Sequence, residues 1–202
     1  MILLSVLAAL YAAFLVWHEP WFSRRLKPGE AAALLRWAYE DMDPEERRAF
    51  EAFMDADDGR PFYMLNLMQY RERAEYRGGL QPDGSSAAGM TGREAGHRYE
   101  QMVVPDLLKR GCYPVFVSRK IANFLSAGSG SDFFEEIAVV RYRSRRDMLS
   151  MAASKSFLQG VPHKWASLER TVAVPCRLMV LLDLRTLVPL VLLVAYVLAS
   201  EW

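Results

Sequence analysis

Phe62-Tyr63-Met64-Leu65-Asn66-Leu67-Met68-Gln69-Tyr70 is the stretch on which the fold turns. Aromatic and large apolar side chains fill it, Pro61 precedes it and Arg71-Glu72-Arg73 follow it, which is the pattern of a β-strand. Alternation puts Leu65 and Leu67 on one side of the strand and Met64, Asn66, Met68 and Tyr70 on the other. Both sets are largely apolar, so neither side is built for water. Two-fold pairing with a second copy, sheet against sheet, is the economical way to bury the side that helices leave open.

Moving towards the C-terminus, Arg77 to Met90 reads as a loop from its glycine, serine and proline content. Thr91-Gly92-Arg93-Glu94 is a capping box, in which threonine and glutamate satisfy orphan helix amides reciprocally. The helix it opens runs to about Arg110, with a bend expected at Pro105, and Gly111 closes it. Tyr113 to Ile121 is a second strand, Ala127 to Ser131 a turn, and Phe134 to Tyr142 a third strand. Ser144-Arg145-Arg146-Asp147 caps another helix through Met148, Met151 and Ala152. A further helical stretch, Val161 to Glu169, leads into a last strand, Thr171 to Cys176. The order predicts an α+β fold, a ferredoxin-like βαββαβ domain over residues 60–176 with an antiparallel sheet.

Towards the N-terminus, Pro28 to Glu40 has alanine and leucine at helical spacing, and Asp43-Pro44-Glu45-Glu46 starts a helix that Gly59-Arg60-Pro61 ends. Residues 23–59 therefore read as a helical stalk. Beyond it, Ile2 to Trp17 carries no charge, and neither does Leu187 to Ala199. Residues 1–22 and 177–202 are expected to be transmembrane anchors, with Trp17, Trp21 and Phe22 at the headgroups, the terminal Trp202 favouring a second span, and Asp183 and Arg185 marking where that span begins. Arg24, Arg25 and Lys27 follow the first anchor, and Arg177 and Arg185 precede the second. The positive-inside rule then places the domain on the cytoplasmic side of the inner membrane and both termini outside.

The net charge of +1 argues against nucleic acid as a partner. Cys112 and Cys176 form no C-x-x-C pair, and His18, His97 and His163 are too scattered for a metal signature. Phosphate-loop, serine-elbow and dinucleotide motifs do not occur, so no cofactor is implied. The partners expected are membrane lipid and either a second copy or other subunits of a membrane complex.

Tyr63 to Glu72, Gly92 to Tyr99, Val139 to Arg146 and Lys164 to Val174 together resemble, in order, the domain-of-unknown-function 1330 family of the dimeric α/β-barrel superfamily. Where many relatives have a proline after the third-strand aromatic, this chain has Arg143. The resemblance implies a two-copy barrel. Similar superfamily members include cofactor-free monooxygenases and haem-degrading enzymes, some with an asparagine and a histidine in the cavity.

Asn66 fits that role through its carboxamide, and equally fits a buried amide hydrogen-bonded to its neighbours. Arg119 and Arg141 suit an anionic ligand, or ion pairs with Asp132, Glu135 or Glu136. His163, placed in a turn after Pro162, and His97 are the acid–base candidates. The ligand-binding set is Asn66, Tyr70, Arg119, Arg141 and His163; the sequence assigns no catalytic residue. Two functions stay open: an accessory subunit of a membrane complex, or a binding protein or monooxygenase-like enzyme for a small apolar or aromatic ligand.

Overall fold

The structure, a computed structural model, describes residues 2–35, 42–124, 132–179 and 184–200. Helix α1 (Ile2–His18) is followed by the short α2 (Glu30–Leu34) and by α3 (Pro44–Asp55). Asp43 caps α3 by accepting from the Glu45 amide, with Pro44 at the first helical position. Strand β1 (Phe62–Tyr70) follows, then α4 (Gly92–Lys109), β2 (Tyr113–Arg119), β3 (Glu136–Tyr142), α5 (Arg145–Ala152), α6 (Lys155–Ser167), β4 (Leu168–Cys176) and α7 (Leu184–Ser200). The capping box on Thr91 and Glu94 forms in full, and α4 continues through Pro105. The turn expected at 127–131 and the second half of the expected helix 28–40 lie outside the described residues.

The four strands form one antiparallel sheet in the order β2-β3-β1-β4, so the chain is α+β, and the order is compatible with a ferredoxin-like fold. Phe62 pairs with Tyr142, Met64 with Val140 and Met68 with Glu136, so these residues share one side of the sheet. Helices cover that side. Phe62 stacks on Tyr142 at 5.2 Å and 11°, and Phe53 of α3 meets Phe62 edge-on. Val103 and Leu107 of α4, Met148, Leu149 and Met151 of α5, and Met54 of α3 complete the core.

Leu65, Leu67, Val139, Ile137, Val172 and Val174 share the opposite side with Phe116. Phe116 is 51% exposed, and Val172 and Val174 are each 41% exposed. Among the described residues, no helix lies over this apolar surface except at one end, where α1 arrives. The Met64, Asn66 and Met68 side of β1, where a cavity role for Asn66 would require the second copy, is the helix side instead.

The two membrane spans are overturned. Each terminal helix has 17 residues, and among the described residues no helix is long and apolar enough to cross a membrane. At 1.5 Å per residue such a helix reaches about 25 Å, short of a hydrocarbon core of about 30 Å. The expected inner-membrane location and the orientation with both termini outside fall with the spans. Trp17, expected among headgroups, instead donates its indole N–H to the Leu108 carbonyl at 2.7 Å and stacks on Tyr113. His18 is fully buried, with its ring nitrogens 2.8 Å from the Glu19 carboxylate and 2.8 Å from the Tyr113 hydroxyl. Arg185 marks no bilayer boundary: its carbonyl accepts from the Tyr11 hydroxyl, and its guanidinium lies 3.7 Å from Glu19. Asp183 and Trp202 lie outside the described residues.

Candidate functional site

Arg77 to Met90 was expected to be a plain loop, but the whole 71–91 connection folds onto the domain. Arg71 N–H donates to the Ser167 carbonyl at 2.9 Å and Glu75 N–H to the Ala166 carbonyl at 3.0 Å, which stitches the connection to the end of α6. Gly92 N–H donates back to the Arg71 carbonyl at 3.2 Å and closes the excursion at the start of α4. Tyr76 and Ala87 then bury against Ala95 and Ala166 as a small second core. The result is a cleft of about 650 Å³, with Pro82 and Asp83 of the connection on one wall. Arg98, Gln101 and Met102 of α4 form the second wall, and Gln159 and His163 of α6 the third. Spacings of three and four residues on α4, and of four on α6, put these side chains on one face of each helix.

His163 is the most constrained group at the cleft. It sits inside α6, not in a turn, and is 4% exposed. Its Nδ1 shares a 2.7 Å hydrogen bond with the Tyr76 hydroxyl, and the two rings meet edge-on at 5.5 Å. Among the described residues its Nε2 has no hydrogen-bond partner. Burial, then the Arg98 charge, holds the imidazole below its ordinary titration range, with Asp83 opposing in part. Burial raises the Tyr76 phenol, so the neutral pair is the stable one. When the phenol donates to Nδ1, Nε2 carries the proton. When Nδ1–H donates to the phenol oxygen, Nε2 presents a lone pair to the cleft. The pair can therefore donate or accept a proton at Nε2.

The other cleft charges are sorted. Arg98 donates to the Gln81 side-chain oxygen, and Gln81 is fixed in turn by its amide donating to the Ser86 carbonyl. Asp83 accepts from the Ser85 amide at 2.9 Å and the Ser85 hydroxyl at 2.6 Å, which lowers its pKa. Among the described residues no group of three or more His, Cys, Asp or Glu side chains is placed to hold a metal ion.

Of the residues singled out from sequence, only His163 lies at this cleft. Asn66 is on the helix side of β1, and its amide donates to the Met64 and Ala138 carbonyls at 3.1 and 3.2 Å. Tyr70 is buried under α4, donating to Glu136 at 3.0 Å beneath the Arg93 guanidinium. Arg119 is exposed at the end of β2, across the ladder from Glu136. Arg141 is 2% exposed and donates to the carbonyls of Gly111 and His18, so it binds the molecule's own backbone. His97 is exposed and faces Glu100. The glutamates proposed as partners for Arg119 and Arg141 go to Arg93. Sequence reasoning missed Tyr76, Arg98, Gln101 and Gln159. The usable signals were a single tyrosine in a polar loop and polar residues four apart before Lys164.

No family model and no curated protein matches the chain. Solved structures similar to it include two of one protein. The crystal structure of the methylated RPA0582 protein has 23% identity and a TM-score of 0.56, covering 71% of this chain and 96% of that one. The crystal structure of RPA0582, a protein of unknown function from Rhodopseudomonas palustris, also has 23% identity and a TM-score of 0.56, covering 70% of this chain and 97% of that one. At this identity the likeness shows the fold alone.

Proposed function

We propose that this protein binds a small polar molecule in the His163 cleft and exchanges a proton with it through His163 Nε2. The observation that carries this reading is the His163–Tyr76 hydrogen bond, which fixes a buried neutral imidazole with its second nitrogen unpartnered at a cleft wall. A neutral imidazole held in this way is a general acid–base group, and the volume suits a small organic molecule. Asn66 and Arg141 have no part in this site, and neither does an apolar cavity between copies. The accessory-subunit reading, which used the two spans as its docking surfaces, is not carried forward.

The test is a ligand-observed NMR screen of small polar compounds against the wild type and His163→Gln, followed by hydrogen–deuterium exchange at the C–H positions of the hits. Compounds that bind the wild type and lose binding or exchange in His163→Gln support the reading. A screen whose hits bind both proteins equally, with no His163-dependent exchange, overturns it.

The finer fold is read here as the dimeric α/β-barrel type, two copies closing on their open sheet sides. What supports it is the row of Leu65, Leu67, Phe116, Val172 and Val174 on one side of a four-stranded sheet. Monomers seldom leave so contiguous an apolar surface in water.

A further inference from the structure

We infer that the molecule filling the His163 cleft is a small organic carboxylate whose carboxylate group is held by Arg98. This rests on the cleft reading above and names its substrate class.

The first observation is that Arg98, unlike the arginines tied to the domain's own acids, has no carboxylate partner among the described residues. Arg93, Arg110, Arg143 and Arg146 each reach a carboxylate, on Glu136, Asp106, Asp147 and Glu30 respectively. Arg98 makes one hydrogen bond, to Gln81, and among the described residues it has no carboxylate partner. A guanidinium has five N–H donors in a planar fork that matches a carboxylate, so most of that capacity is unused in a side chain that lines the cleft.

The second observation is that neither nearby acid pairs with Arg98, although Asp83 keeps its negative charge on the opposite wall of the cleft. Asp83 is held by Ser85, and Glu94, one turn before Arg98, is held by the Thr91 amide at 2.7 Å and its hydroxyl at 2.8 Å. The Arg98 charge reaches both, and it bears on Tyr76 and His163 as well. With the imidazole neutral, Arg98 is the one full positive charge among the residues that line the cleft.

The remaining walls suit the rest of such a molecule. The Gln101 and Gln159 amides have no partner among the described residues and can meet a second polar group. Met102 and Pro82 supply apolar contact for a small carbon body. Gln81 anchors the guanidinium before any ligand arrives, so little ordering cost accompanies binding. A carboxylate seated on Arg98 would lie within the same cleft as His163, which then faces the body of the acid.

The test uses acetate, butyrate and benzoate, each beside its amide, titrated at constant ionic strength into the full chain and followed by the His163 imidazole NMR signals. At least one acid should move those signals and bind about tenfold or more tightly than its amide. Arg98→Gln should erase that preference while leaving the fold intact by circular dichroism, since Arg98 is exposed. Amides that bind as well as the acids, or acid binding unchanged in Arg98→Gln, overturn the inference while leaving a His163 cleft for neutral ligands. If none of the six compounds moves the His163 signals, although the broader screen yields His163-dependent neutral hits, the carboxylate assignment fails alone. Should that screen be empty too, both readings fail.

Discussion

The His163 imidazole and the Tyr76 phenol share a 2.7 Å hydrogen bond and meet edge-on at 5.5 Å, although 87 positions separate them in the chain. Burial disfavours the charged form of both rings, and the Arg98 charge adds to that for the imidazole, so the hydrogen bond joins two neutral groups. The pair ties the 71–91 connection to α6 and leaves one imidazole nitrogen for chemistry.

That arrangement fixes the direction of the His163 titration. Burial and the Arg98 charge both disfavour the imidazolium, so the His163 midpoint, read from its NMR signals, should lie below the ordinary value of 6.5. Arg98→Gln removes the second cause and should move the midpoint upward. A midpoint at or above the ordinary value, or one that Arg98→Gln does not raise, contradicts this electrostatic account.

The same shift has a consequence for stability. A histidine whose folded pKa is depressed binds its proton more readily when the chain unfolds. Its neutral form favours the fold above the ordinary imidazole range, and that contribution is lost as pH falls through 6.5 towards the folded value. Urea unfolding at pH 7.5 and at mildly acidic pH should therefore show a loss on acidification that is smaller in His163→Gln. Equal acid sensitivity in the two proteins would assign the loss to other groups.

The sheet offers a separate test. Leu67 pairs with Ile137 and Val172 on the open side, whereas Met68 pairs with Glu136 and Thr171 on the helix side. Burying several hundred Å² of apolar surface at roughly 25 cal/mol per Å² would give many kcal/mol before association costs. Light scattering should find a dimer for the wild type and a folded monomer for Leu67→Glu. Met68→Glu should instead lower stability, because it sets a second carboxylate beside Glu136 under the helices. A monomeric wild type would end the two-copy reading.

How much of this was legible depends on the range of the forces involved. Caps are local chemistry, and the Thr91–Glu94 box and the Asp43 and Ser144 N-caps leave plain signals within four residues, whereas the helix that Ser154 caps was expected only from Val161 and begins at Lys155. Strand β1 was equally plain, since alternation and its flanks are local. Which side of β1 the helices cover was not legible, because both sides of the strand are apolar and only the packing of Phe62 on Tyr142 and α3 decides it. Arg141 looked like a ligand-binding cation from composition, and only the arrival of α1 explains why it is buried. The apolar termini suited a bilayer or a docked helix alike; what separates the two is where Trp17 and His18 find their partners. The cleft was invisible because its walls come from three segments that meet only in the fold.

Core packing gives a stability prediction with a sharp contrast. Leu149 is fully buried among Val103, Leu107, Tyr142 and Met151, while Leu158 is 42% exposed on α6. Leu149→Ala should cost about 2 to 5 kcal/mol in urea unfolding, because the neighbours cannot collapse fully into the space left. Leu158→Ala should cost under about 1 kcal/mol, as partly exposed sites do. Similar losses at the two positions would mean that α5 is not packed as described.

Docking of α1 rests on its last carbonyls. Arg141 donates to the His18 carbonyl at 3.0 Å and the Gly111 carbonyl at 3.2 Å, and Arg143 donates to the Trp17 carbonyl at 3.2 Å. Two guanidiniums therefore cap a helix C-terminus, the end that carries the negative pole of the helix dipole. Gly111 is at φ +68, and a Cβ there would strike the Trp17 carbonyl oxygen, so the α4–β2 turn leaves room for the helix by having no side chain. Arg141→Met keeps the apolar stem and removes the fork, leaving two buried acceptors unmet at about 1 to 3 kcal/mol each. Lysine should rescue only in part, since a single ammonium cannot span both carbonyls as a fork does. Amide hydrogen exchange should then rise across residues 2–18 in Arg141→Met while β1 keeps its protection. Unchanged exchange in α1 would show that the helix is held by its apolar contacts and not by Arg141.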